Sequence, residues 1–448
     1  MVGLSSAIGC PPRSWPSPGP QLVRGGGPAR SAPSRAYRPR PRPQRVRIGA
    51  VSLARNRMAV AAAFAAQGMV FISLTTRLPD IKERWDFSEL DVSATLLAIV
   101  LLAGAGSVLT ERLAHRLESA LLLRAGLVGI GLGMPLMVAG PDLAVYWLGV
   151  VVYGVALGVV DATTNMQAVA LEHAYGRPIL PSFHGGWTLG GLVGAGLTLA
   201  MAGLPLGATA ALALVPLACA ALPFLRRDTH PGGPEFVGGM EASPVPWRPI
   251  VLVGAGMVIF YMVDTASQTW GAVYLDEVFD APSRWVALAT LPYLLASLVT
   301  RLAGDRLVAA YGAVPVLRTG AVVACGGLAL VTFAPTWPLA VLGFTVVGLG
   351  VSVVAPLSFS AAAVIAGGDA TGAAPDRRRV DAVIARFNQF NYVGGLLGAV
   401  LTGVVGQNQL RLGFCVPMVL VLALWPLARH FAAIRTGTAT PVPASEGA

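Results

Sequence analysis

Charged residues are scarce. Only 12% of the 448 residues are Asp, Glu, Lys or Arg, whereas about a quarter of an ordinary soluble domain is charged. With 55% apolar residues, the chain has too little polar surface for a cytosolic enzyme and too much apolar surface for a disordered polymer. Cysteine is scarcer still. Cys10, Cys219, Cys325 and Cys415 stand far apart, three of them in apolar stretches, and form neither a CxxC pair nor a disulfide framework. There is no GxxxxGK[ST] phosphate loop, no HExxH pair and no cluster with metal-ligand spacing. No cofactor is therefore expected, and any work must draw on an ion gradient or on a solute's own gradient. No cleavable secretory signal is visible.

What the chain does have is a mean hydropathy of +0.67, 53 glycines and 34 prolines, a composition that suits helices in lipid. A hydrocarbon core about 30 Å thick needs about 20 apolar residues at 1.5 Å each. Twelve segments qualify: 58–77, 89–110, 119–140, 143–168, 182–203, 205–225, 249–270, 283–303, 313–334, 337–364, 384–405 and 411–431. Between the sixth and seventh lies a polar, Gly- and Pro-rich linker, 226–248. It divides the chain into six-helix units at 58–225 and 249–431, with a flexible tail at 432–448.

The net charge of +10 is not a nucleic-acid signal. Residues 1–57 hold eleven arginines and no acid, so the remaining 21 basic and 22 acidic side chains leave the body at −1. This Arg- and Pro-rich stretch predicts disorder. Three readings stand open: a start at Met58 with 1–57 absent, a cytoplasmic arm drawn to anionic lipid, or an Arg-rich transit peptide. Placing both ends in the cytoplasm gives that side 27 of the 32 Lys and Arg, leaving Arg77, Lys82, Arg84, Arg284 and Arg411 outside. The positive-inside rule thus sets the orientation.

The halves repeat each other. Glu111-Arg112-Leu113, Leu123-Arg124 and Gly126 recur 194 residues later as Asp305-Arg306-Leu307, Leu317-Arg318 and Gly320. Phe183, Gly190-Gly191-Leu192 and Gly194-Ala195 recur 204 residues later as Phe387, Gly394-Gly395-Leu396 and Gly398-Ala399. The ten extra residues fall in the loop GGDATGAAPDRRR. Equivalent crossings keep the same direction, so these are parallel repeats, an architecture of secondary transporters with the site between the halves.

Two six-helix halves, a long central loop, and Gly304-Asp305-Arg306 with Gly312 after span eight resemble the major facilitator superfamily over about 58–431. Gly106, Glu111, Arg112 and Arg116 are the first-half counterparts of that loop. More narrowly, DATTNMQAVALEHAYGRPILPSFHGGWTLGGLVGA resembles a bacterial inner-membrane branch near the sugar and fucose permeases. That branch often has Glu where this chain has Asp264, an acid where it has Thr269, and Gly-Pro where it has Gly398-Ala399. The resemblance implies an all-α membrane protein of twelve helices in two pseudo-repeat bundles, with spans four and seven lining a central cavity.

Within that frame two carboxylates, Asp161 and Asp264, lie inside spans, where insertion costs about 2.5–3.5 kcal/mol at the helix centre. Either is a candidate proton-coupling site; a helix-packing hydrogen bond is the alternative. Asp161 falls toward the cytoplasmic end of its span and Asp264 toward the outer end of its own, so they need not touch. Gln67, Asn165, Gln167, Tyr261, Gln268, Trp270, Asn388, Gln389, Asn391 and Tyr392 supply neutral polar and aromatic groups for a hydroxylated ligand, while Trp270 and Tyr274 also fit an interfacial belt. His184, whose repeat partner is Asn388, belongs either to a proton path or to a structural hydrogen bond. Gly106, Glu111, Arg112, Gly304, Asp305 and Arg306, with the expected ion pairs Glu172–Arg177 and Asp381–Arg386, are gate candidates. Small residues at every fourth position, Gly154/Gly158/Ala162, Gly186/Gly190/Gly194 and Gly394/Gly398/Thr402, offer helices close approach.

The sequence therefore predicts a secondary transporter, not an enzyme, working as a monomer in the bacterial inner membrane with both termini cytoplasmic. Its expected partners are a small organic solute, sugar-like or drug-like, protons and the lipid bilayer. A sensor or membrane-embedded enzyme on the same scaffold is the other reading.

Overall fold

The computed structural model describes residues 50–201, 203–226, 245–281, 287–367 and 377–432. The first half comprises α1 (Ala50–Thr76), a short α2 (Leu78–Trp85), α3 (Glu89–Ala114), α4 (Ser119–Ala139), α5 (Leu143–Tyr175) and α6 (Leu180–Ala200). Its sixth crossing is a 3-10 segment, Leu206–Ala213, that continues into α7 (Leu214–Ala220). The second half comprises α8 (Trp247–Phe279), α9 (Leu291–Tyr311) and α10 (Ala313–Phe333), then a tenth crossing split into α11 (Trp337–Val351) and α12 (Val354–Gly367). An eleventh crossing is split into α13 (Arg377–Phe387) and α14 (Gln389–Gly406). The twelfth contains α15 (Leu410–Leu420), α16 (Leu424–Leu427) and 3-10 turns.

Every expected crossing is thus helical in its described residues, and the protein is a multi-pass membrane protein. Nine of the crossings, among the described residues, are by themselves long and apolar enough to traverse a bilayer. The other three have local reasons for falling short. α6 is diluted by glycine, the Leu206–Ala220 segment is short, and α9 carries Arg301, Asp305 and Arg306. Large apolar side chains such as Leu101, Val299 and Val404 remain exposed on the outside of the bundle, as a lipid-facing surface requires.

Several boundaries differ from expectation. The first helix begins at Ala50, not Met58, with Asn56 Nδ2 donating to the Pro223 carbonyl at 2.7 Å. The tail expected over 1–57 is therefore helical from residue 50; residues 1–49, most of the linker and 433–448 lie outside the described residues. The outer loop after α1 contains α2, which buries Ile81 and ends at Asp86 with φ +52°. α5 and α8 each run 33 residues, past the apolar window to an αL terminator, Gly176 at φ +64° and Asp280 at φ +50°. α3 starts with a capping box in which Ser88 and Asp91 satisfy each other's N–H groups.

The repeat is visible in packing. α1 lies on α6 as α8 lies on α14; α5 packs on α3 and α4 as α11 packs on α9 and α10. Gly190 and Gly194 face the backbone of Ala65 and Met69, while Gly394 and Gly398 face Val258 and Met262; a Cβ at any of the four would overlap a carbonyl oxygen. The contacted residues are 193 apart in both cases, which fixes the register between α1 and α8. The halves meet where α6 packs on α9 and α3 on α13, two contacts that exchange under the repeat.

Candidate functional site

The helix ends joined by the linker are called here the linker end, and their opposites the far end. Asp161 sits at the middle of α5, half-buried and pointed at the other half. Its Oδ2 accepts from Asn388 Nδ2 at 2.9 Å, Asn391 Nδ2 at 2.9 Å and the Tyr392 hydroxyl at 3.2 Å; its Oδ1 accepts from Gln67 Nε2 at 3.2 Å. Spacing of three and four residues puts Asn388, Asn391 and Tyr392 on one helical face. All four partners donate and none is a cation, which is a shell for an ionised carboxylate. Gln67 Oε1 and Asn388 Oδ1 are buried without partners among the described residues.

One turn toward the linker end the network continues. Asn165 donates to the Asp161 backbone carbonyl at 2.8 Å, and its Oδ1 lies 3.2 Å from His184 Nε2. The imidazole is flanked by Phe64 and Phe359, at 5.3 and 6.1 Å between ring centroids. Gln67, Asp161, Asn165, His184, Asn388 and Asn391 thus form one connected set. Gln167 lies apart, bridging Ser119 and the backbone of Leu225.

Asp264 has its own shell. It lies at the middle of α8, since that helix continues to Phe279, and not toward the outer end as its span alone indicated. The Tyr293 hydroxyl donates to its Oδ1 and Gln268 Nε2 to its Oδ2, the latter at 2.8 Å. Tyr261 is within electrostatic reach of both Asp161 and Asp264, so the two acids flank one region between the halves. Trp270 and Tyr274 do not form a belt. Trp270 donates to the Ala399 carbonyl at 2.9 Å, and the fully buried Tyr274 hydroxyl donates to the Val331 carbonyl at 2.6 Å.

Arg301, which sequence reasoning counted only in the cytoplasmic-side total of Lys and Arg, is the main addition. Its guanidinium crosses from α9 to the first half: Nη1 donates to the Thr188 hydroxyl, and Nε donates to the Ser352 carbonyl at 3.2 Å. Pro356 has no N–H to give the carbonyl four residues before it, so the break between α11 and α12 leaves Ser352 O available for that bond. The detectable signal was an arginine inside the 283–303 span followed four residues later by Asp305.

The gate candidates pair differently from expectation. Arg386 reaches across to Glu111 at 3.3 Å, not to Asp381, which is buried in α13. Glu172 caps α6 by accepting from the Ile179 and Leu180 N–H groups at 2.8 and 3.0 Å, and Arg177 lies over the Tyr175 ring. Capping won because the first N–H groups of a helix lack internal partners. Asp305 accepts from the Ser182 N–H at 2.9 Å and pairs with Arg57 at 3.5 Å. The repeat maps Glu111 to Asp305 and Ser182 to Arg386, so these are two copies of one latch. Gly106 packs on the Val155 backbone and Gly304 against Pro181 and Val353; Arg112 and Arg306 flank the latch acids in sequence. All these bonds between the halves lie between the middle of the helices and the linker end.

The family profile described as Major Facilitator Superfamily matches residues 12–178. An uncharacterised MFS-type transporter of Yersinia pestis is 29% identical over 373 residues, covering 80% of this chain and 91% of that protein. Membrane protein MosC of Rhizobium meliloti is 26% identical over 320 residues, covering 68% and 75%. Among solved structures, FucP in the outward conformation superposes with a TM-score of 0.68 at 14% identity over 85% of this chain and 99% of that one. The human organic anion transporter MFSD10 gives 0.64 at 15% identity over 84% and 99%. The structural likenesses show the fold.

Proposed function

We propose that the chain is a transporter of the major facilitator superfamily, whose profile it matches over residues 12–178, and that it carries a small hydroxylated solute, coupled to protons through Asp161. The observation that carries this reading is the shell of Asp161, in which one carboxylate from the first half accepts three hydrogen bonds from the second. Ionised, the carboxylate ties α5 to the eleventh crossing. Protonated, it can no longer accept all of them, and the tie between the halves weakens. A proton arriving from the far end would therefore favour parting of the halves at the linker end.

The neutral amides and phenols around both acids suit hydroxyl groups, and the fucose:proton symporter FucP among the structural neighbours is in keeping with that chemistry. The linker end is the cytoplasmic end by the positive-inside count. Both termini then lie in the cytoplasm, and the closed linker end makes this an outward-directed state. The membrane is the bacterial inner membrane, and a single chain suffices.

The test uses proteoliposomes with an imposed pH gradient and an internal pH-sensitive dye, fed a pooled set of sugars and sugar derivatives. The wild-type protein accumulates a solute with proton entry. Asp161→Asn abolishes gradient-driven accumulation while retaining counterflow. Gradient-driven accumulation by Asp161→Asn would contradict the coupling role.

A further inference from the structure

The unresolved electrostatic feature of the site is Arg301. The residue is 6% exposed, and a guanidinium cannot relieve burial by shedding its proton. A buried charge is costly unless paired and hydrogen-bonded. Nε and Nη1 are used, as described, by the Ser352 carbonyl and the Thr188 hydroxyl, both neutral, and the guanidinium lies over the Phe260 ring at 5.8 Å. Nη2 has no hydrogen-bond partner among the described residues, yet it is not completely enclosed. No carboxylate pairs directly with Arg301 among the described residues. Asp264 is within electrostatic reach of it, but its two oxygens are taken by Tyr293 and Gln268.

Other polar atoms around the two acids are also open. The half-buried Tyr261 hydroxyl makes no hydrogen bond among the described residues. Gln268 and Asn391 turn their amide nitrogens to the two carboxylates, so their carbonyl oxygens are left to accept. One cationic donor pair beside one phenol and two amide oxygens is a receptor for a molecule with a single negative group and several hydroxyls. Two carboxylates in the same region disfavour a dianion such as a phosphate monoester.

We propose that the transported solute is a hydroxylated organic monoanion, of the sugar-acid type, whose carboxylate docks on Arg301 Nη2. This deepens the transporter reading and rests on it. The hydroxyls of the solute take Tyr261, Gln268 and Asn391. The carboxylate supplies the counter-charge that Arg301 lacks, and Asp161 remains free for the proton.

The test is binding of D-gluconate and D-glucuronate to the purified full chain, each set against its uncharged counterpart, sorbitol and D-glucose, by thermal shift and tryptophan fluorescence. At least one of the two anions is expected to bind in preference to its counterpart. Arg301→Gln loses at least about tenfold in anion affinity, equivalent to about 1.4 kcal/mol, and Arg301→Lys keeps the preference with weaker binding. If Arg301→Gln fails to fold, the wild-type preference and its survival in Arg301→Lys decide the matter. Equal binding of the uncharged compounds, unchanged anion binding in Arg301→Gln, or no binding of either anion overturns the proposal. Anion binding without counterflow would uphold the site and remove the transport reading; counterflow of D-glucose without anion binding would do the reverse.

Discussion

At the residue scale, Asp161 and His184 illustrate what a helix position does to a polar side chain. Asp161 is held by donors alone, and removing one weakens a charge-assisted bond worth about 1.5–3 kcal/mol. Asn391→Ala is therefore expected to destabilise the linker-closed state by that amount, read as increased cysteine labelling from the linker end with the fold preserved by circular dichroism. Among the described residues His184 makes one side-chain hydrogen bond, to Asn165, from between two phenylalanine rings. His184→Asn, which installs the residue found at its repeat partner, is expected to retain most of the initial uptake rate; loss of proton-driven uptake with binding intact would place the imidazole in the proton path. The two in-span acids could be found from sequence because a carboxylate in lipid is costly wherever it points. Their partners could not, since hydrogen-bond pairing between distant helices depends on rotation about each helix axis. Arg301 was overlooked for a related reason: at a span's edge, an arginine facing solvent and one facing protein look the same in sequence.

At the scale of the element, two of the five basic residues that break the positive-inside count, Arg84 and Arg411, have structural work at the far end. Arg84 donates to the carbonyls of Val138 and Gly140 at 2.7 and 2.6 Å, and Arg411 to those of Thr332 and Ala334 at 3.0 and 2.7 Å. These are the free carbonyls at the C-termini of α4 and α10, where cations are favoured. Arg411→Ala is expected to lower stability by about 1.5–3 kcal/mol, measured by thermal unfolding in detergent. Helix existence was legible because apolar length is imposed by the bilayer. Helix ends were not, since α5 and α8 continue through polar residues to αL caps that hydropathy does not register. The small-residue stripes were legible too. Gly190→Leu is expected to abolish the α1–α6 contact and lower the yield of folded protein, whereas Gly186, where a Cβ meets nothing closer than 3.4 Å, tolerates alanine; equal tolerance at both positions would contradict the packing.

At the scale of the whole molecule, the repeat determines more than helix count. It places the Glu111–Arg386 and Asp305–Ser182 contacts as equivalent latches on either side of the contact between the halves. Arg386 is more than half exposed, and exposed ion pairs contribute only about 0–1 kcal/mol, so this latch is readily broken; the Asp161 shell is the stronger tie. Glu111, Asp305 and Arg386 were legible in the sequence as gate candidates but Ser182 was not, and Arg386 was expected to pair with Asp381 in its own loop, because sequence proximity says nothing about the opposite half. The most direct test of proton-controlled parting of the halves is a spin-label distance between positions 116 and 311, on opposite halves at the linker end, in a cysteine-free background across a pH series. The wild-type distance distribution is expected to shift to longer values on acidification, with Asp161→Asn showing the long distance at every pH. Identical distributions for the wild type and Asp161→Asn throughout the series would contradict the account.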